Sequence, residues 1–106
     1  MELEVYWTEF SERELAKIFS YYNEVAGSKI AKNLIEAIIN ETLKLEHQPE
    51  MGQVEELLKN RKQQFRYLVF KNYKIIYWIN HSKKRIEIND VFDTRQNPDK
   101  IKRITW

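Results

Sequence analysis

The chain has 106 residues, of which 42% are hydrophobic and 32% charged, with three Trp, six Tyr, five Phe, no Cys and a formal net charge of +2. That length supports a single domain, residues 1–106, with one core, and the apolar content is far above that of a disordered chain. Disulfides, thiolate metal sites and a Cys nucleophile are excluded; no apolar run approaches the roughly 20 residues that span a bilayer, so no membrane partner is expected.

The near-neutral total hides a reversal. Met1 to Leu57 holds 5 Lys and Arg against 12 Asp and Glu, net −7, whereas Leu58 to Trp106 holds 13 against 4, net +9. Such a dipolar chain points to a polyanion on one side and a different partner on the other. The opening MELEVYW carries two acids where a signal peptide carries positive charge, so the cytoplasm is the expected compartment.

Leu3, Val5 and Trp7 alternate with Glu2, Glu4 and Tyr6, which predicts a short first strand. Ser11-Glu-Arg-Glu14 reads as a capping box and predicts a helix that ends near Ala26, with Leu15, Ile18, Phe19, Tyr22, Val25 and Ala26 on its buried face. Gly27-Ser28 breaks the pattern. A second helix is predicted from about Lys29 to His47, with Ile30, Ala31, Leu34, Ile35, Ile38 and Leu45 as a stripe widened by Ile39 and Leu43. The short connection makes the helices antiparallel.

Pro49 and Gly52 stop the second helix, and Val54, Leu57 and Leu58 form a short apolar patch. Phe65–Phe70, Tyr73–Asn80 and Arg85–Phe92 are rich in aromatic and β-branched residues, and their short separations predict antiparallel hairpins. The expected fold is α+β: an N-terminal strand, a helix hairpin, then a three-stranded antiparallel meander, with helices on one sheet face. Asp99 to Trp106 reads as a basic C-terminal turn or tail.

The sequence contains no Gly-rich phosphate loop, Ser elbow or metal-ligand spacing, and no cofactor is expected. His47 suits a helix C-terminus, and His81 sits in a predicted turn. The chemistry-bearing candidates are Arg66, Lys74, Asp93 and Arg95. Strand pairing would bring Arg66, Lys74 and Arg95 onto one surface, with Asp93 beside Arg95, where the cations could bind phosphate or stabilise a phosphorane during RNA cleavage. Cleavage also needs proton transfer, for which Asp93 or Glu87 would be the base and Lys74 the acid. For each of these, soluble strand surface or ion pairing is the plainer role. Phe65, Tyr67, Phe70, Tyr73, Tyr77 and Trp78 interleave with the cations and would either stack on bases or pack the core.

With Tyr73-Lys74-Ile75-Ile76-Tyr77 and Val91-Phe92-Asp93-Thr94-Arg95-Gln96-Asn97-Pro98 following a helix hairpin, nearly the whole chain resembles the RelE/ParE superfamily of bacterial type II toxins, which includes plasmid stabilisation proteins. The resemblance implies a cytoplasmic toxin neutralised by a cognate antitoxin that wraps across its helices and sheet. The expected activity is growth inhibition by ribosome-dependent mRNA cleavage, that of a RelE-like, metal-independent endoribonuclease or mRNA interferase, with two alternatives. A ParE-like member would inhibit DNA gyrase without chemistry, and a degenerate relative would only bind antitoxin. On the nuclease reading Lys74 and Arg95 occupy catalytic positions that carry Arg in relatives, with Arg66 near further basic positions. Two positions depart from that pattern: Ile101 stands about where a C-terminal Tyr is expected, and Asp93 where His is frequent.

Overall fold

The computed structural model describes residues 3–104. Strand β1 (Glu4–Trp7) leads into helices α1 (Glu9–Ala26) and α2 (Ser28–Leu43); β2 (Gln53–Val54), β3 (Arg66–Phe70), β4 (Tyr73–Asn80) and β5 (Arg85–Asp93) follow. The strands form one sheet in the order β1-β5-β4-β3-β2. The antiparallel meander β3-β4-β5 is the expected one, and β1 adds to its β5 edge in parallel. The fold is α+β with a mixed sheet. Among the described residues no helix is long and apolar enough to cross a membrane.

The first helix begins earlier than its capping box suggests. Thr8 is the cap, its Oγ1 accepting the Ser11 amide at 3.2 Å, while the Ser11 hydroxyl donates back to the Thr8 carbonyl at 2.8 Å. Glu14 is therefore not a capping residue; its carboxylate is buried and accepts from Arg103 at 3.0 Å. A distant guanidinium offers that carboxylate more than a backbone amide does, because the bond is charge-assisted on both sides. Gly27, at φ 95, joins the helices in a backbone region that disfavours side chains.

Helix α2 ends at Leu43 and tightens into a 3-10 turn, Lys44–Glu46, rather than running to His47. The buried Thr42 hydroxyl donates to the Ile39 carbonyl at 2.6 Å, drawing the last turn inward. Val25 and Ile30, expected on the buried stripes, are 59% and 55% exposed, since no other element covers the Gly27 junction.

Ile38 and Leu45, with Leu15, Ile18 and Leu34, pack on Leu68, Tyr73, Ile75, Tyr77, Ile86, Ile88 and Val91 of the sheet. The second face is covered as well. Two 3-10 turns, Glu56–Leu58 and Pro98–Arg103, lay Leu58, Ile101 and Ile104 with Phe65 over Ile76 and Phe92. The expected basic tail is thus a capping layer up to residue 104; Thr105 and Trp106 lie outside the described residues. Its start is set by Asn97, whose side chain accepts the Asp99 amide at 3.0 Å, and by Pro98 in the first turn.

The pairing of β4 with β5 slips between Ile76, opposite Asp90, and Tyr77, opposite Ile88, leaving Asn89 as an extra residue. This bulge lets both Ile88 and Val91 face the helices, and it turns Phe92 to the second face.

Tyr77 also closes the loop before β2: its hydroxyl accepts from the Gly52 amide at 2.9 Å and donates to the Pro49 carbonyl at 2.7 Å. Tyr77→Phe is expected to destabilise the fold by about 1–3 kcal/mol, because both backbone groups lose a buried partner. A Cβ at Gly52 would stand 2.5 Å from the Tyr77 hydroxyl and 2.8 Å from the Tyr67 carbonyl, so Gly52→Ala should cost a similar ~1–3 kcal/mol. Urea unfolding of both variants and their double checks this, and the double should lose less than the sum because removing the Tyr77 hydroxyl relieves the shortest of three clashes, those with Tyr77 Cε1 at 2.7 Å and the Tyr67 carbonyl remaining.

Candidate functional site

Register decides which face each candidate meets. Tyr73 pairs with Asp93 and Lys74 with Phe92, so Asp93 opens toward α1 while Lys74 lies on the second face with Ile76 and Phe92. Arg66 pairs with Tyr77, four positions along β4 from Tyr73, which is roughly 13 Å of strand. The expected single surface of Arg66, Lys74 and Arg95 is therefore not formed; the three cations occupy three places.

Each has a local task. Arg66 donates to the Gly52 carbonyl at 2.9 Å and to that of Glu50 at 3.3 Å, pinning the loop before β2. Lys74 donates to Glu55 at 2.9 Å and stands 4.2 Å from the Tyr67 ring centroid, compensating a carboxylate that is only 4% exposed. Glu87, the alternative base, lies on the same face as Lys74. Burial pushes its pKa up, but hydrogen bonds from Asn80 and Arg85, both at 2.9 Å, outweigh this and hold it below the ordinary value.

Asp93 and Arg95 do stay together, through a turn at the end of β5. The Gln96 amide donates to the Asp93 carbonyl at 3.1 Å, and the Arg95 amide to the Asp93 carboxylate at 2.9 Å. The Arg95 guanidinium adds a fork, Nε to Oδ1 at 3.0 Å and Nη2 to Oδ2 at 2.7 Å. The guanidinium bonds, opposed by partial burial and reinforced by the Arg95 amide and Asn72, hold the Asp93 pKa at about 2. A carboxylate so stabilised is a weak base.

The pair rims a cleft of about 370 Å³ between the later turns of α1 and the end of β5, floored by Ile18, Tyr22, Tyr73 and Val91. Tyr21 and Tyr22 meet edge to face, centroids 5.0 Å apart. Burial and the neighbouring Tyr22 hydroxyl push the Tyr73 pKa up to about 12, so this hydroxyl remains protonated near neutrality. The cleft offers aromatic walls, a neutral phenol and one guanidinium that is 66% exposed.

Sequence reasoning missed Arg103. Its guanidinium forks Asp90, Nε to Oδ2 and Nη2 to Oδ1, both at 3.0 Å, and Nη2 also reaches Glu14 at 3.0 Å. Asp90 is 0% exposed. In sequence Arg103 is one cation of a basic run, and only the fold brings it across β5 to α1. Of the six candidate strand aromatics, Phe65, Tyr73 and Tyr77 are buried and Tyr67, Phe70 and Trp78 partly so; His47 and His81 are exposed, the latter in the β4–β5 turn.

A helix hairpin on one face of a mixed sheet, with Asp93-Thr94-Arg95 at the end of its last long strand, defines a type II toxin of the RelE/ParE superfamily. More narrowly, the chain belongs to the ParE toxin family: the family model for the ParE toxin of the type II toxin-antitoxin system, parDE, matches residues 5–98. A solved chain from the chromosomal ParDE TA system of P. aeruginosa is similar in fold, with a TM-score of 0.71, 16% identity, and coverage of 87% of this chain and 96% of that one. No curated protein matches the chain significantly.

Three outcomes follow from these pairs. Arg95→Gln should release the Asp93 carboxyl from about 2 toward its ordinary 3.8, read by carbon NMR titration; an unchanged value would assign the shift to Asn72 and the turn amide. Because the folded pKa is the lower one, the wild-type pair contributes stability above about pH 4 that is lost as pH falls through 2, and Asp93→Asn should flatten that limb. Its size is modest at this exposure. Arg103→Met should instead cost about 3–5 kcal/mol at pH 7 by stranding buried Asp90. Burial already raises the Asp90 pKa despite Arg103, so part of the loss should return on acidification, as protonated Asp90 needs no cation.

Proposed function

We propose that this chain is the toxin of a type II pair that arrests growth by binding DNA gyrase, and that it does so without cutting RNA. The observation that carries this reading is that Lys74 lies on the second sheet face paired with Glu55, while Arg95 rims the cleft beside α1 paired with Asp93, so the two cations are committed to different carboxylates in different surroundings. Metal-free RNA cleavage needs a base, an acid and a cation converging within hydrogen-bond reach of one ribose-phosphate unit. Here Lys74 serves Glu55, and Asp93 serves Arg95. The ParE family match supports the gyrase-binding branch over mRNA cleavage at the ribosome.

The cognate antitoxin has a fitting surface elsewhere. Trp7, Leu15, Ala16, Phe19, Ile35 and Ile39 line an apolar groove of about 360 Å³ between β1 and the two helices, with Glu12 at its rim. An amphipathic antitoxin segment laid there would cover apolar surface left open by the hairpin.

Expression of the chain alone should arrest growth, and co-expression with the product of the adjacent gene should relieve the arrest. Pulse labelling after induction should show DNA synthesis failing while mRNA stays intact, and the purified chain should inhibit supercoiling by gyrase. Prompt ribosome-dependent mRNA cleavage would overturn the gyrase reading, and absence of any growth effect would overturn the toxin reading.

A further inference from the structure

Part of the positive excess of the second half is gathered by the fold onto one surface. Residues 59–62 and 98–103 contain six cations, Lys59, Arg61, Lys62, Lys100, Lys102 and Arg103, against a single carboxylate, Asp99. The two segments meet over the second sheet face. Leu58, Ile101 and Ile104 share one apolar cluster beneath them, and Arg61 stitches them together by donating to the carbonyls of Ile104 at 2.6 Å and Lys102 at 2.7 Å.

With Arg103 turned inward to Asp90 and Glu14, four lysines point outward. Lys59, Lys62, Lys100 and Lys102 are all exposed. Lys102 has a loose contact with Asp99 at 3.9 Å, and among the described residues the other three form no ion pair. Like charges gathered without partners repel one another, so an anionic ligand would relieve a standing electrostatic cost. Nothing assigned so far to this protein uses them.

The chemistry narrows the ligand. Lysines are compact point charges that suit phosphate oxygens, whereas planar recognition of carboxylates or base edges favours the arginine fork. The aromatics on this side offer little for stacking on unpaired bases: Phe65 and Phe92 are 1% and 2% exposed, Tyr67 is bonded through its hydroxyl to Gln53 and covered by Lys74, and Trp78 is partly buried against the apolar cluster. Single-strand binders depend on such stacking. A rigid cap that offers charge alone fits the dense, regular phosphates of a duplex.

We propose that the lysine cap over the second sheet face binds the phosphate backbone of double-stranded DNA, without sequence preference, through Lys59, Lys62, Lys100 and Lys102. The inference goes beyond gyrase binding and stands or falls separately from it, because DNA binding is measured on the toxin alone. In the cell the cap would let the toxin hold the DNA on which its target works.

The test is fluorescence anisotropy of the full chain against a labelled random-sequence DNA duplex of about 20 base pairs, titrated over salt. Wild type should bind with log affinity falling against log salt with a slope of about −3 to −4, the signature of roughly four phosphate contacts. Lys59→Glu/Lys62→Glu/Lys100→Glu should weaken binding by at least about tenfold and cut the slope to about −1, while Lys29→Glu/Lys32→Glu on exposed α2 positions should leave both unchanged. Equal melting temperatures of the variants keep the comparison clean. A single strand of the same length should bind more weakly, and a duplex RNA arm distinguishes general duplex recognition from DNA preference. The proposal fails if the duplex is not bound at about 50 mM salt, if the single strand or duplex RNA binds more tightly, or if the triple variant binds DNA as wild type does. It fails equally if that variant loses affinity only for the antitoxin, which would make the cap a protein-binding surface.

Discussion

One extra residue in β5 sets the course of the molecule's second half. Had β5 kept strict alternation from Ile86 and Ile88, Asp90 and Phe92 would have followed them toward the helices, placing a carboxylate among Ile38, Ile75 and Leu68. An unpaired charge in such surroundings is worth many kcal/mol of penalty, far beyond what a bulge costs. The bulge at Asn89 resolves the conflict by returning Val91 to the helix-side core and Phe92 to the other face. Everything after it inherits that choice: Asp93 and Arg95 open toward α1, and Phe92 creates an apolar face that the C-terminal turn must cover.

Asp90 could not simply be left at the new position, since it is 0% exposed there. β1 pairs with β5 only from Arg85 to Ile88, so β1 does not reach the edge of β5 at Asp90, and Arg103 meets both Asp90 and Glu14 there. One guanidinium answers two carboxylates from two elements while belonging to a third. Buried ion clusters of this kind add little net stability compared with apolar packing, yet breaking one partner is costly. Their consequence is positional, in that the C-terminal turn is held against α1 and β5 in one arrangement.

Periodicity made the helix pair and the three long strands legible, because each spans enough residues for a period of 3.6 or 2 to declare itself. Two-residue β2 could not, and the parallel docking of β1 on β5 depends on contacts far apart in sequence. The capping box at Ser11 was a true local pattern that lost to tertiary demand: Glu14 was taken by Arg103, and Thr8 offered the same chemistry one turn earlier. The candidate site was half legible. Asp93 and Arg95 are neighbours in sequence and remain so in space, whereas uniting them with Lys74 required knowing which face each strand residue meets. Tyr73, Asp93 and Arg95 share the α1 side, and Lys74, one residue from Tyr73, necessarily does not.

The same alternation also divides labour between surfaces. Apolar groups with Glu12 at their rim line the groove of the hairpin, which leaves room for an amphipathic segment, while the exposed lysines gather on the opposite side of the sheet. A protein of this size with a single core has few ways to present two chemically different surfaces without mutual interference. Placing them on opposite faces, about two helix or strand layers apart, exceeds the roughly 8 Å over which exposed charges interact at physiological salt. An antitoxin segment in the groove would therefore leave the lysine cap electrostatically intact. Groove and Arg95 cleft share α1 as a wall, with Leu15 and Phe19 on one flank and Ile18 and Tyr22 on the other, so a segment laid in the groove has only the width of one helix to cross before it meets the Asp93–Arg95 pair.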